Sequence, residues 1–300
     1  MDKNTEIRSP LTKGNVELLF EIPTSQIVER YKKELNIDIS YLIGGANKVK
    51  VFECEDTGYR FFYPFEISGD GKFYEKLELI PWYYSDWKWE NEVAIQYIQE
   101  KLKVLDIGCG TGKFIEVLKR SKNCDCTGLE LNSRAKIVAN NKGLNVKNET
   151  IQIHATNSSN QYDVVTFFQV LEHISNVDDF LKSAVDVTKT GGLIIMAVPN
   201  NEPYFLKYDK FHLLNLPPHH MGWWNETSIK KLSDLYNLSI VSIKKQPLRH
   251  YSDYARLLLT EKYRLPRRIV RFLLPFFKVY CYLNKNRIVG ANIIAIFNKN

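Results

Sequence analysis

Residues 104–107, Val-Leu-Asp-Ile, form a short apolar run holding one acid. Three alternating glycines, Gly108, Gly110 and Gly112, follow at once, and residues 113–119 then place apolar side chains at helical spacing. The pattern predicts strand, tight turn and helix, the first βα unit of a doubly wound sheet whose ligands bind at the carboxyl ends of the strands. Glycine lets the backbone turn sharply and lie against a ligand, and the new helix offers free N–H groups beside it. Further apolar runs predict strands over 126–130, 151–154, 163–168, 191–200, 238–244 and 291–297, with helices over 133–142, 178–188 and 226–236 between them. The expected fold class is α/β, with seven strands and helices on both faces.

Residues before Trp82 do not follow that alternation. Thr24 or Ser25 caps an expected helix to Leu35, and residues 49–54 and 59–63 read as two short strands joined by Asp56-Thr57-Gly58. The chain therefore divides into an α+β accessory region, 1–81, and a main domain, 82–300. Residues 82–90 are dense in Trp and Tyr, suiting either a cofactor lid or an aromatic core. Ser85 or Asp86 caps an expected helix reaching Lys101, with Val93, Tyr97 and Ile98 on one face.

The net charge of +7 is concentrated. Residues 249–287 hold ten Lys/Arg and two Asp/Glu, so the rest of the chain is close to neutral. This basic insert, 249–289, precedes the last strand. Arg264, Arg268, Arg271, Lys278 and Lys285 share a helical face, and Pro275 is expected to kink or divide the helix. Residues 264–285 suit a pocket cap, a homodimer contact, or contact with an anionic membrane surface or lipid-linked acceptor. Nucleic acid is disfavoured, because no stacking or base-reading motif accompanies the charge. No secretory signal or membrane span is visible, and the five cysteines form no spaced framework. These features predict a cytoplasmic protein with reduced thiols, peripheral at the inner membrane face if the insert binds lipid.

A dinucleotide fingerprint needs glycine where Lys113 stands, so the G-x-G-x-G spacing disfavours a nicotinamide cofactor. Glu130 falls about twenty residues past the turn, where nucleotide folds place a carboxylate on ribose hydroxyls. Residues 104–112 resemble motif I of the class I S-adenosylmethionine-dependent methyltransferases. Asp163-Val164-Val165 through Leu171-Glu172-His173-Ile174, the Gly191-Gly192 pair and Val198-Pro199-Asn200 resemble the blocks of small-molecule members related to the ubiquinone O-methyltransferases. The resemblance implies S-adenosylmethionine as cofactor, with S-adenosylhomocysteine as product. It implies cofactor contacts from Asp106, Gly108, Cys109, Gly110, Gly112, Glu130, Leu131 and Gln169, with the glycine turn at the methionine end, Glu130 at the ribose and Gln169 facing the methyl group. The adenine amine usually meets an Asp; here His154-Ala155 stands there, leaving the Ala155 backbone or the His154 ring.

The implied activity is methyl transfer to a small-molecule or saccharide acceptor, at oxygen. The alternative is a non-catalytic protein that keeps the fold for binding or scaffolding. For a hydroxyl acceptor, His173 is the first candidate base, then His219 and His220 in the Pro217-Pro218-His219-His220 loop. Similar RNA 3′-end methyltransferases hold magnesium with E-x-x-E-H. Here Gln169 replaces the first acid, and no metal is assigned. Relatives also carry a zinc-ribbon-like element near the N-terminus. Only Cys54 of its cysteines remains, with Thr57 in a partner's place, so no metal is expected there either.

Overall fold

The computed structural model describes residues 7–80, 87–202, 211–249 and 251–300. Residues 82–86 of the aromatic stretch, with both expected caps, lie outside them. The main body is a seven-stranded sheet built from β4 (Lys103–Ile107), β5 (Asp125–Leu129), β6 (Asn145–Lys147), β7 (Tyr162–Phe168), β8 (Thr188–Pro199), β10 (Leu238–Pro247) and β11 (Val289–Lys299). Its order is β10-β11-β8-β7-β4-β5-β6. The five strands from β8 to β6 are parallel, and β11 runs antiparallel to both β8 and β10. Strand β7 is central, and Val164, Val165 and Phe167 are fully buried, as a strand covered on both faces requires.

The expected third strand is a correction. Residues 151–155 form a helix, α6 (Ile151–Ala155), capped by the Thr150 hydroxyl accepting from Ile153 N. Ile151 is buried while Ile153 is 58% exposed, so the two isoleucines do not share an environment. The strand lies earlier, at β6, where only Val146 of three residues is buried. The expected helix to Lys101 is also shorter: α3 covers Trp89–Ala94.

The accessory region forms a second sheet, β1-β2-β3-β9, from β1 (Val16–Pro23), β2 (Lys48–Cys54), β3 (Arg60–Tyr63) and β9 (Gly222–Trp223). Helices α1 (Thr24–Leu35) and α2 (Gly71–Glu78) complete it. Its last strand comes from the far side of the chain, in the loop that carries His219 and His220. Only glycine fits at 222, because an added Cβ would lie 2.1 Å from the Tyr59 hydroxyl. Leu11, Phe52, Tyr59 and Phe61 share one buried cluster with Leu105, Phe167 and Trp224, so the two sheets pack through a common core.

Cys54 has company that the sequence reading missed. Ser9-x-x-Thr12 and Cys54-x-x-Thr57 have the same spacing; burial raises the Cys54 thiol, but the hydroxyls of Ser9, Thr12 and Thr57 around it bring it below the ordinary cysteine value. The Thr12 hydroxyl lies 3.4 Å from it, and the Ser9 Oγ accepts from the Leu11 and Thr12 amides. The Thr12–Cys54 contact thus ties the segment before β1 to the end of β2.

In the insert, α9 (Tyr251–Leu257) and a π-helical turn (Leu258–Lys262) lead to α10 (Arg267–Leu283). Helix α10 runs through Pro275 undivided; Pro275 is exposed, so the carbonyl it leaves unbonded can turn to water. Among the described residues no helix is long and apolar enough to cross a membrane.

Candidate active site

The turn after β4 has three glycines with positive φ, 72° at Gly108, 54° at Gly110 and 77° at Gly112, and they serve different purposes. A Cβ on Gly108 would strike Val170 at 2.5 Å, and one on Gly112 would strike Leu144 at 2.5 Å. Those two glycines permit packing against the protein. A Cβ on Gly110 would meet nothing within 4 Å, so this residue alone borders open space. Cys109 is buried over Gly128, where an added Cβ would lie 2.4 Å from its sulfur. Helix α4 (Lys113–Lys122) starts on Gly112.

Glu130 follows β5 and closes on the same turn. One carboxylate oxygen accepts from Gly110 N at 2.8 Å and the other from Asn132 N at 2.7 Å. Burial raises its pKa, and the two backbone donors oppose the rise. A carboxylate offers about four acceptor positions, so two N–H groups leave room for two hydroxyl protons. The residues present therefore fit a cofactor that runs along Gly110 and brings ribose hydroxyls to Glu130. Leu131 beside it is 64% exposed. Asp106 sits beneath the turn, accepting from the Thr166 hydroxyl at 2.7 Å. Burial pushes its pKa up to about 7, against the Thr166 bond and with help from the Glu130 charge. It shapes the turn from below.

His154 lies in α6, with Nδ1 2.7 Å from Glu149 and Nε2 2.8 Å from the Tyr162 hydroxyl. Both ring nitrogens have protein partners, and Ala155 packs against the main core. Helix formation therefore anchors this pair in the protein.

The end of β7 carries the second half of the site. Gln169 holds a left-handed backbone, φ 55°, an uncommon conformation for a residue with a side chain. Its buried side-chain nitrogen has no hydrogen-bond partner. A left-handed backbone and an unanswered donor at a strand's carboxyl end make Gln169 a candidate functional position. Glu90 of α3 is fully buried, and Asn292 donates to it at 3.4 Å. Sequence reasoning missed Glu90; an acid directly after Trp89, at the end of the aromatic stretch, was the available signal.

His173, His219 and His220 come together. Ring centroids lie 4.6 Å apart for His173 and His219, 5.0 Å for His173 and His220, and 4.4 Å for the stacked His219 and His220. Each Nδ1–H donates to a fixed oxygen: His173 to the His219 carbonyl at 2.5 Å, His219 to the Leu214 carbonyl at 2.7 Å, and His220 to the Asn215 side chain at 3.0 Å. That bonding puts the lone pair of each ring on Nε2. The Tyr74 hydroxyl of α2 adds a contact to His173 Nδ1 at 3.2 Å. Burial holds all three rings below the ordinary histidine value, His173 toward about 4, and the Lys88 charge lowers His173 further. His173 keeps 19% of its side chain exposed, so solvent reaches it and softens that shift. Backbone bonds hold the loop down: Met221 N donates to the Glu172 carbonyl at 2.7 Å, and Gly69 N to the Pro218 carbonyl at 2.8 Å.

Glu172 lies beneath the rings, with one carboxylate oxygen 3.9 Å from His173 Nε2 and the other without a partner. Burial pushes its pKa from 4.5 up to about 8; Lys88 opposes the shift and Glu90 adds to it. The folded state thus favours the protonated acid, while the unfolded chain ionises from about pH 4.5. Stability from this residue is full below 4.5 and is lost as pH rises toward 8, at about 1.4 kcal/mol per unit at most. Glu172→Gln escapes that loss. Thermal melts should show the variant gaining on the wild type between about pH 5 and pH 8 and holding a constant margin above. A margin independent of pH would mean that Glu172 is charged in the native protein.

A profile of the methyltransferase domain matches residues 87–243. The ubiquinone biosynthesis O-methyltransferase of Escherichia coli is 30% identical over 171 residues, covering 47% of this chain and 70% of that enzyme. The enzyme of the same name from Escherichia fergusonii matches at the same identity and coverage. Among solved structures, a SAM-dependent methyltransferase from Archaeoglobus fulgidus superposes with a TM-score of 0.50 at 18% identity, covering 69% of this chain and 90% of that one. Glycine turn, sheet order and these matches agree: the chain belongs to the methyltransferase-domain family and is a class I S-adenosylmethionine-dependent methyltransferase.

Proposed function

We propose that the chain methylates a hydroxyl oxygen of a small-molecule or saccharide acceptor, with His173 as the base. The observation carrying this reading is the tautomer of His173: its Nδ1–H is spent on the His219 carbonyl, so a neutral Nε2 is left to take a proton. S-adenosylmethionine supplies an activated methyl group on its sulfonium. Gly110 would lie along its methionine end, and Glu130 would accept from its ribose hydroxyls. Gln169, with a buried and unpartnered amide nitrogen, would face the reacting atoms. His219 and His220 stack behind His173 and keep its ring aimed; orientation of this kind supplies much of the acceleration in a two-substrate reaction.

In this reading the accessory region, 1–81, is a clamp for the main domain, 82–300. Its sheet takes β9 from the histidine loop, which holds that loop over the end of β7. A cavity of about 530 Å³ opens between α2 and α5 (Ser133–Asn141), lined by Tyr41, Lys72, Glu75, Lys76, Leu79 and Arg134. Asn132, which braces Glu130, also bonds Glu78 of α2, so the cavity neighbours the cofactor cradle. Three cations there suit an acceptor carrying phosphate, such as a nucleotide-sugar.

A second reading rests on the same rings. Ligating nitrogens of His173, His219 and His220 lie within 4.8 Å of one another. Each ring is held by a hydrogen bond at Nδ1, and a protein bond at one ring nitrogen is what orients a metal-ligating histidine. Such a set suits zinc or a similar transition ion. One experiment tests both readings: the protein is incubated with S-adenosylmethionine and cell extract, with and without chelator, and acceptors one methylene heavier are sought by mass spectrometry. Methylated hydroxyl compounds formed regardless of chelator support the base. Loss with chelator and recovery with zinc support the metal. Methylation only at nitrogen or carbon overturns the oxygen assignment.

A further inference from the structure

Helix α10 carries an apolar seam that no described element covers. Ile269, Phe272, Phe276, Val279 and Leu283 recur at three and four residues and are between 44% and 74% exposed. With Tyr280 they occupy about 100° of the helix surface. The inner face is different: Val270 and Cys281 are buried, and Leu274 and Phe277 pack toward Leu248 and Ala255. A third face holds Arg267, Arg268, Arg271 and Lys278, all exposed. Between residues 264 and 287 there are seven Lys/Arg and no Asp/Glu.

One side anchors the helix to the protein while the other offers phenylalanine to water. A continuous apolar patch on a soluble surface marks a contact. The charge selects the partner. A second copy would set these cations against their equals, with no carboxylate on either helix to answer them. A cap over the substrate pocket would turn the seam inward, whereas its residues are exposed. An anionic lipid surface satisfies both faces: acyl chains take the phenylalanines and headgroups take the arginines. The exposed Tyr263, Tyr280 and Tyr282 have the apolar body and polar tip favoured at that boundary. Long basic side chains can reach up to the headgroups from beside the seam.

We propose that α10 lies in the plane of an anionic lipid surface and docks the enzyme there. This inference needs only the helix and stands apart from the identity of the acceptor. The test is co-sedimentation of the full chain with vesicles of phosphatidylcholine alone or mixed equally with phosphatidylglycerol. Binding is expected only to the mixed vesicles, weakening with added salt. Phe272→Ser with Phe276→Ser should reduce partitioning at least about tenfold, and so should Arg268→Glu with Arg271→Glu. Neither pair should alter turnover of a water-soluble acceptor. Equal binding to neutral vesicles, no binding to either kind, or partitioning unchanged in both double variants would overturn the proposal. So would sedimentation equilibrium showing a dimer that Phe272→Ser with Phe276→Ser dissociates, which would assign the seam to a second copy.

Discussion

Gly110→Val is expected to abolish S-adenosylmethionine binding while leaving a folded protein. Gly110 has a positive φ, and a Cβ there would enter open space. That space lies beside an amide already bonded to Glu130. Valine would do two things at once. It would force a left-handed backbone on a branched residue, at roughly 1–2 kcal/mol. It would also put two methyl groups where the cofactor backbone must lie. The first cost falls on stability and the second on binding, and Gly110→Ala separates them, since alanine carries the backbone strain with far less bulk. Calorimetry should show the valine variant losing at least about a thousandfold in affinity, some 4 kcal/mol, and the alanine variant much less. Circular dichroism should show both folded. Gly108→Ala and Gly112→Ala make a contrasting pair, because their Cβ atoms would strike Val170 and Leu144, so they should lower the melting temperature first. Undiminished affinity in Gly110→Val would move the cofactor away from this turn.

That contrast also shows what a sequence can and cannot disclose. The glycine turn is legible because positive φ restricts the choice of residue, and β7 because burial on both faces demands an unbroken apolar run. Glu130 is legible because the β5 register brings it back to Gly110. Other features depend on distant pairings. Strand β6 has one buried residue in three, so it leaves almost no apolar trace, while Ile151 and Ile153 imitate strand alternation inside a helix capped by Thr150. Strand β9 is two residues long and exists through its pairing with β3, some 160 residues earlier. Glu90 reads as one more helix acid, and its burial becomes visible only when β11 brings Asn292 over it. Ser9 and Thr12 carry no signal in the sequence because their approach to Cys54 depends on the fold of the accessory region. The histidines were legible as an odd cluster of residue types, but their shared tautomer was not. That tautomer depends on the carbonyls of His219 and Leu214 and the amide of Asn215, which only the folded loop supplies.

The tautomer leads to the second large effect. His173→Ala is expected to cut turnover by about 10²–10⁴, the usual contribution of a positioned base, and to leave S-adenosylmethionine affinity nearly unchanged. The ring is at the end of β7, whereas the cradle is formed by the β4 turn and Glu130, so removing it should not disturb the cofactor. A structural role predicts something else. His173 donates to the His219 carbonyl, and losing that bond would loosen the histidine loop. Turnover and acceptor affinity would then fall together, and His173→Gln, whose amide can still donate, would restore both. A base predicts that glutamine restores acceptor affinity but not rate. The pH profile gives an independent check. A base works when neutral, above its pKa, and burial draws His173 from 6.5 toward about 4. The wild-type rate should therefore hold as pH falls through 6.5 and decline only below it, toward 4, where an unperturbed histidine would already be mostly protonated. Lys88→Met removes one charge that keeps the ring neutral, so it should raise the ring's pKa and move the acid limb to higher pH. A limb that stays in place in this variant would show that the titrating base is another group.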